Sequence, residues 1–494
     1  MIDELWHASG AMTRGGSLSE AQRQQLLAAT LDAAPTIKPA VVSPKTTETL
    51  ELFRTLRRIA RGFGVRALGG HVVSMTHQPS DVLTVLWLWK WSEGTDGGHP
   101  DDPQLRLPII PLFETISDLD QGPAILSTLL DTPVYRDWVR ALGNRQIVMI
   151  GYSDSTKDGG YLAACWGLQR AQVELHDIAA SRGVNVTFFH GRGGSLGRGG
   201  GPAARAILSL PSTAFDGSLR LTEQGEILAE RYDDPHIAYR HLEQVLWSVL
   251  MASTQTASAI PDEWRLRMDE SAAVSYQAYR RLVDHPAFGE FFRRATPITD
   301  IESLHIASRP ARRAASDRIE DLRAIPWVFA WTQSRCLIPA WFGLGTALGK
   351  FLASSPAAAD EIRQMYRDWP FFRATIDNAV LALAKSNRAV FHRYSDLASA
   401  NDLCREVLAI IDDEWQHTDA ALRAITDCSE LLANVPWLKR SITFRNGYVD
   451  PLNLIQAELQ ARNDEFTTGE ALADFVHLKQ LVVKGIAAGM RTTG

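Results

Sequence analysis

Ile147-Val148-Met149-Ile150-Gly151-Tyr152-Ser153-Asp154-Ser155-Thr156-Lys157-Asp158-Gly159-Gly160 is a short apolar run that breaks into a charged, glycine-studded turn. A second stretch has the same form: Val186-Thr187-Phe188-Phe189 leads into His190-Gly191-Arg192-Gly193-Gly194-Ser195-Leu196-Gly197-Arg198-Gly199-Gly200-Gly201. Apolar runs of this length closed by turn residues read as buried strands. Asp, Lys, His and Arg are thus delivered where a strand gives way to a loop, the place where α/β proteins keep their chemistry.

Three further runs of the same kind surround this pair. They are His71-Val72-Val73-Ser74-Met75-Thr76, Leu107-Pro108-Ile109-Ile110-Pro111-Leu112-Phe113-Glu114 and Ser218-Leu219-Arg220-Leu221-Thr222-Glu223. Helical stretches such as Tyr161 to Ser181 alternate with the runs, which predicts parallel β/α units over residues 69–240. Residues 1–68 read as a helical segment, with Ser19 to Leu27 and Thr47 to Phe53 at helical spacing on either side of a Pro- and Thr-containing break. Residues 241–494 read as almost wholly helical, with boundaries such as Asp368-Trp369-Pro370, and their many Trp and Phe residues are expected in the core.

The expected class is therefore mostly α with a parallel β/α core. Glu114, Asp154 with Lys157, His190 with Arg192, and Glu223 with Glu226 all stand at strand ends. In a (β/α) barrel those positions share one mouth, but a closed barrel of this kind has eight strands and only five runs can be counted. An open five-stranded parallel sheet is the alternative, and its two edges need cover.

Bulk composition narrows the function. The 494 residues, 45% of them hydrophobic, are enough for a large core. Lys plus Arg total 51 against 57 Asp plus Glu, so no general basic face for nucleic acid is expected. Cys165, Cys336, Cys404 and Cys428 lie far apart without a Cys-x-x-Cys pair, which disfavours a zinc knuckle or a disulfide framework and fits a reducing cytoplasm. The start shows no cationic segment followed by an apolar one, and no stretch runs to about 20 apolar residues, so neither export nor a membrane span is expected.

Glu114 and Asp154 end separate apolar strands, where a hard divalent cation such as magnesium takes one carboxylate from each and leaves its other positions to water and substrate. The plainer reading of either is a solvated turn carboxylate. The glycines after Phe189 can bring backbone N–H groups close to an anion, and Arg192 and Arg198 offer planar forks that match phosphate or carboxylate. A dinucleotide loop fits poorly, since two arginines occupy the turn, and no Gly-Lys-Ser/Thr follows to make a Walker loop. His190 alone would read as a satisfied histidine and Lys157 alone as a surface lysine, but four such side chains on adjacent strand ends are hard to ascribe to solubility. A further basic cluster, Ser308-Arg309-Pro310-Ala311-Arg312-Arg313, precedes Leu322-Arg323, and Arg323 abuts the apolar stretch Ile325 to Trp331.

Taken together, Phe189 to Gly200, Gly151 to Asp158, Pro111-Leu112-Phe113-Glu114-Thr115, Leu322-Arg323-Ala324-Ile325-Pro326-Trp327, Asp450-Pro451-Leu452-Asn453 and Gly485-Ile486-Ala487-Ala488-Gly489-Met490-Arg491 resemble phosphoenolpyruvate carboxylase, in that family's order and from about residue 50 onward. The resemblance implies a mostly helical protein built round an eight-stranded TIM-type barrel, usually a cytoplasmic homotetramer. Its reaction is an anaplerotic carbon dioxide fixation that makes oxaloacetate and phosphate from phosphoenolpyruvate and bicarbonate with Mg2+ or Mn2+. It further implies that Glu114 and Asp154 bind the metal, that Lys157 lies near bicarbonate, and that Arg192, Arg309 and Arg323 hold phosphate. His190 would line the bicarbonate pocket, Arg198 would ride on a mobile glycine loop, and an inhibitory dicarboxylate would meet Arg198, Lys385, Arg445 and the residue at position 492.

The pattern departs from the family in three places. Thr492 replaces the usual asparagine, exchanging an amide that both donates and accepts for a shorter hydroxyl. Ala314-Ala315-Ser316-Asp317-Arg318 stands where the family has a Pro and a Gly pair. The family's first three barrel strands, with an essential histidine motif and a further phosphate-binding arginine, have no counterpart in these residues, and a count of five strands agrees with the C-terminal part of a barrel. The expectation is a C-terminal portion that is active once an N-terminal half, encoded separately or absent from this sequence, completes the barrel. The alternative is a non-catalytic, anion-binding regulatory or scaffold subunit.

Overall fold

Each of the five apolar runs becomes a strand, and the sheet keeps them in chain order. The computed structural model describes residues 2–9, 18–31, 42–92, 105–254, 260–304, 310–313, 318–463, 465 and 468–491. Strands β1 (His71–Val73), β2 (Ile109–Phe113), β3 (Arg145–Gly151), β4 (Asn185–Gly191) and β5 (Arg220–Leu221) lie side by side as β1-β2-β3-β4-β5. β1 and β2 run parallel with His71 opposite Ile109, and β2 and β3 run parallel with Phe113 opposite Ile150. All five residues of β2 are buried, as befits a parallel strand covered on both faces.

The crossovers are helices, as parallel strands require. Pro79–Trp91 joins β1 to β2, Ile116–Asp131 and Pro133–Ala141 join β2 to β3, and Ser153–Gly159 with Tyr161–Ala180 joins β3 to β4. Thr115 caps the Ile116 helix in a reciprocal box with Asp118, so Glu114 is the single residue between the strand and the cap.

The chain divides into two compact units, one of Met1–Gly151, Arg170–His190 and Ser218–Arg220, the other of Tyr152–Gln169, Gly191–Gly217 and Leu221–Gly494. In the first unit Arg220 of β5 stacks its guanidinium 4.3 Å over the Phe189 ring of β4 and donates to the carbonyl of Gly69, just ahead of β1, at 3.3 Å. A flat five-stranded sheet would separate its outer strands by about 19 Å. One side chain cannot span that distance, so this sheet is curled.

The second unit is helical. Trp327 and Trp331 meet Phe288 and Phe292 in an aromatic cluster, with the Phe292 and Trp327 centroids 4.9 Å apart. The expected boundary is realised, one helix ending at Asp368 and the next beginning at Pro370. The expectation that the Trp and Phe residues are core holds for this cluster but fails for Trp247, Trp437 and Phe444. Those three stand exposed on the helices Pro235–Thr254 and Pro436–Ala461, whose helical spacing sets a common face without supplying a cover for it. Arg335, with 0% exposure, donates to Lys385 O, Asp450 Oδ1, Asn446 Oδ1 and Asn453 Oδ1, tying two helices through one charge. The four cysteines are free, and among the described residues no helix is long and apolar enough to cross a membrane.

Candidate active site

Past Gly151 the chain turns directly into the helix Ser153–Gly159, so Asp154 and Lys157 sit on a helix and not in the turn their sequence suggests. A spacing of three residues puts the two side chains on one face. Gly151 allows the exit, since a Cβ there would lie 2.8 Å from Glu114 Cβ. At the other end Gly160, with φ +81°, packs on Tyr279, whose hydroxyl donates to the Lys157 carbonyl at 2.6 Å.

Both functional side chains of this helix are engaged. Arg313 Nη2 donates to Asp154 Oδ1 at 2.8 Å. Lys157 Nζ donates to the carbonyls of Glu320 at 3.0 Å and Leu322 at 2.5 Å. Burial pushes the Lys157 ammonium down to about 8, with Asp154 opposing that shift and Arg313 adding to it.

The glycine stretch closes on itself. Leu196–Arg198 makes a tight turn, Gly193 N donates to Arg198 O at 2.7 Å, and Gly200 N donates to Ser195 O at 2.8 Å. Arg198 N and Gly199 N likewise donate to Ser195 O at 3.0 Å and Leu196 O at 3.3 Å, so four of the N–H groups in this loop are already used. Arg192 Nε donates to Gly199 O at 2.6 Å, and the guanidinium lies 5.7 Å over the Tyr152 ring. Thr222 anchors the Arg192 carbonyl at 2.9 Å. Burial lowers the basicity of Arg192 and pushes the Tyr152 phenol up to about 12. Arg198 is 1% exposed and donates through Nε to Ser153 Oγ at 3.1 Å. Asp154, Lys157, Arg192 and Arg198 thus belong to one unit and are linked through Tyr152, Ser153 and the loop.

Glu114 and His190 belong to the other unit. Glu114 is 7% exposed and accepts from the Met75 N–H at 3.0 Å, a donor aimed by the left-handed backbone of Met75 at φ 55°. His190 is buried on β4. Glu223, at the end of β5, keeps the plain role, since Arg231, Tyr232 and His241 all donate to its carboxylate.

Arg323 caps the start of the helix Ala324–Gln333 and donates through Nε to Pro310 O at 2.9 Å. Arg309 and Thr492 lie outside the described residues, as do Ala314 to Asp317. Of the expected dicarboxylate set, Lys385 and Arg445 line one small cavity with Gly489 and Met490, where they donate to Met490 O at 3.3 Å and Gly489 O at 3.2 Å. Lys385 also lines, with Arg491 and Gly194 to Gly197, a cavity of about 90 Å³. Arg198 donates to Ser153 instead.

Sequence reasoning gave no role to Tyr152, Tyr279 or Arg313. The first lies inside the quoted turn and the last inside the basic cluster, but nothing local pairs either with its partner. Among the described residues no three His, Cys, Asp or Glu side chains gather to hold a metal. Magnesium takes one or two carboxylates and fills its shell with water and substrate. Glu114 and Asp154 are hard oxygen donors, and each accepts from an N–H group of its own unit.

Comparison with known proteins agrees with the motifs. The family model for phosphoenolpyruvate carboxylase matches residues 1–494. The chain is 40% identical over 511 residues to the phosphoenolpyruvate carboxylase of Rhodothermus marinus and 39% identical over 501 residues to that of Nocardia farcinica, covering 100% of this chain and 54% of each relative. It is 43% identical over 449 residues to that of Xanthomonas euvesicatoria, covering 90% of this chain and 48% of the relative. The chain spans about half the length of the curated relatives it matches. With strand-end acids, a desolvated lysine and a self-closed arginine–glycine loop set along sequence that matches over its whole length, this chain belongs to the phosphoenolpyruvate carboxylase family.

Proposed function

We propose that this chain carries the metal-binding, lysine and phosphate-binding residues of a phosphoenolpyruvate carboxylase. The reaction joins phosphoenolpyruvate and bicarbonate: a bicarbonate oxygen attacks phosphorus and the bond to the enol oxygen breaks, leaving carboxyphosphate and the enolate of pyruvate. Carboxyphosphate then yields phosphate and carbon dioxide, and the enolate carbon bonds to carbon dioxide to give oxaloacetate. Arg192, Arg309 and Arg323 hold the phosphoryl oxygens and stabilise the charge that moves onto them, since guanidinium forks match that geometry. Lys157 sits beside bicarbonate as a cation at neutral pH, His190 lines the same pocket, and Arg198 travels with the glycine loop. Glu114 and Asp154 supply the carboxylates for Mg2+ or Mn2+, which when bound polarises substrate oxygens.

The observation that carries this reading is the Ser153–Gly159 helix, which presents a carboxylate and a lysine lowered to about 8 on one face just past a buried strand. Its neighbourhood of paired acids and arginines is what phosphoryl and carboxyl chemistry needs, and a solubilising surface does not bury such groups.

The curled sheet supports a barrel of eight strands, three of them contributed by the half of the relatives that this chain does not span. In that reading residues 1–68 are a helical lead, 69–240 part of the barrel, and 241–494 the helical region that bears Lys385, Arg445 and Thr492 for an inhibitory dicarboxylate. The assembled enzyme is a cytoplasmic homo-oligomer. The test is oxaloacetate formation from phosphoenolpyruvate, bicarbonate and Mg2+, coupled to malate dehydrogenase, with the chain alone and then mixed with the other half of a relative. Activity only on mixing is the expected result, whereas no activity in either arm favours an anion-binding subunit.

A further inference from the structure

The residues Pro310 to Arg313 and Arg318 to Arg323 form a small antiparallel ladder. Arg312 bridges Leu322, Arg313 N donates to Asp321 O at 2.7 Å, and Arg323 N donates to Ala311 O at 2.9 Å. This ladder lies on the Ser153–Gly159 helix and takes both of its functional side chains in opposite ways. One strand sends the Arg313 guanidinium to the Asp154 carboxylate, and the other turns the carbonyls of Glu320 and Leu322 to the Lys157 ammonium. The Asp154 and Lys157 charges are thereby met by an opposite charge and by carbonyl dipoles.

The Asp154–Arg313 pair is half-buried, its side chains 26% and 34% exposed, so it is neither a fully solvated contact nor an inaccessible one. A guanidinium at 2.8 Å occupies the coordination space of the carboxylate oxygen that it binds. A divalent cation and an arginine cannot share that oxygen without strong like-charge repulsion.

We propose that Arg313 is a built-in competitor for the divalent cation at Asp154 Oδ1, so that a cation using that oxygen displaces this arginine. The proposal rests on the reading of Asp154 as a metal carboxylate. Because the competitor is tethered by the ladder, it sets the metal affinity of the resting protein.

The test is Mn2+ binding to the purified full chain, followed by the loss of the free-ion EPR signal, for wild type, Arg313→Gln, Asp154→Asn and the double variant. Arg313→Gln is expected to bind Mn2+ roughly three- to fivefold more tightly, the size of a partly exposed ion pair. That gain should vanish in the Asp154→Asn background. Arg313→Lys, which keeps the charge but loses the planar fork, should fall between wild type and Arg313→Gln. Unchanged or weaker binding in Arg313→Gln, with binding lost in Asp154→Asn, overturns the competitor and leaves the metal reading standing. Mn2+ binding that ignores Asp154→Asn, or no saturable binding to wild type and Arg313→Gln alike, overturns both.

Discussion

The Arg192 guanidinium donates through Nε to the carbonyl oxygen of Gly199 at 2.6 Å, seven residues further along the same loop. An anion that reaches Arg192 therefore competes with the protein's own backbone. Gly199 holds φ at +76°, and a Cβ there would stand 2.4 Å from Tyr152 Cδ1. Gly199→Ala should cost about 1–3 kcal/mol of stability through backbone strain and this clash, and it should tighten phosphate binding by displacing the carbonyl that competes for Arg192. Urea denaturation and phosphate titration calorimetry read the two effects; a variant that matches wild type in both would show the loop does not depend on this contact.

Tyr279 bears on the other end of the short helix. Its hydroxyl is buried and donates to the Lys157 carbonyl, so Tyr279→Phe leaves that acceptor without this partner at a cost of about 1–2 kcal/mol. The denaturation midpoint should fall with an unchanged m-value. A midpoint equal to wild type would mean that water replaces the hydroxyl at no loss.

Lys157 gives a pH signature. Its folded value of about 8 lies below the ordinary 10.5, so the buried cation disfavours the folded state fully below about pH 8, and that penalty fades as pH rises toward 10.5. Labelling with acetic anhydride across pH, read by mass spectrometry, should show Lys157 becoming nucleophilic about two units earlier than an ordinary lysine. A midpoint near 10.5 would contradict the burial of this amine.

The helix Pro235–Thr254 exposes Ile237, Tyr239, Leu242, Leu246, Trp247 and Leu250, each more than half accessible. An apolar face of this size drives association. The isolated chain should elute from a sizing column as a broad, concentration-dependent species, and the pair Leu246→Glu with Leu250→Glu should shift it toward a monomer. Light scattering that finds a monodisperse monomer for the unmodified chain would refute this.

Some of this was legible in the chain and some was not, for physical reasons. The five strands were readable because β-branched and aromatic runs end at glycine or charge, and such runs pair wherever they are buried. The helix Ser153–Gly159 reads as a turn because Ser, Asp and Gly dominate it and none favours a helix interior. Tertiary support from Tyr279 overrides that local preference. Arg313 was visible only as one of a basic cluster, since its partner Asp154 lies 159 residues away. For the glycine loop the sequence presents the N–H groups as free, whereas folding spends four of them, those of Gly193, Arg198, Gly199 and Gly200, on carbonyls inside the loop.

Arg335 has a consequence for how this sequence can change over generations. Its guanidinium has no access to water, while the Asp450 side chain that it meets remains 31% exposed. Losing Asp450 first would strand an unpaired interior cation at about 3–5 kcal/mol; losing Arg335 first leaves a carboxylate that water can still reach. The two positions are therefore not exchangeable in time. Any lineage that abandons the pair must surrender the arginine before the aspartate, and intermediates carrying Arg335 opposite an uncharged residue should be rare among descendants.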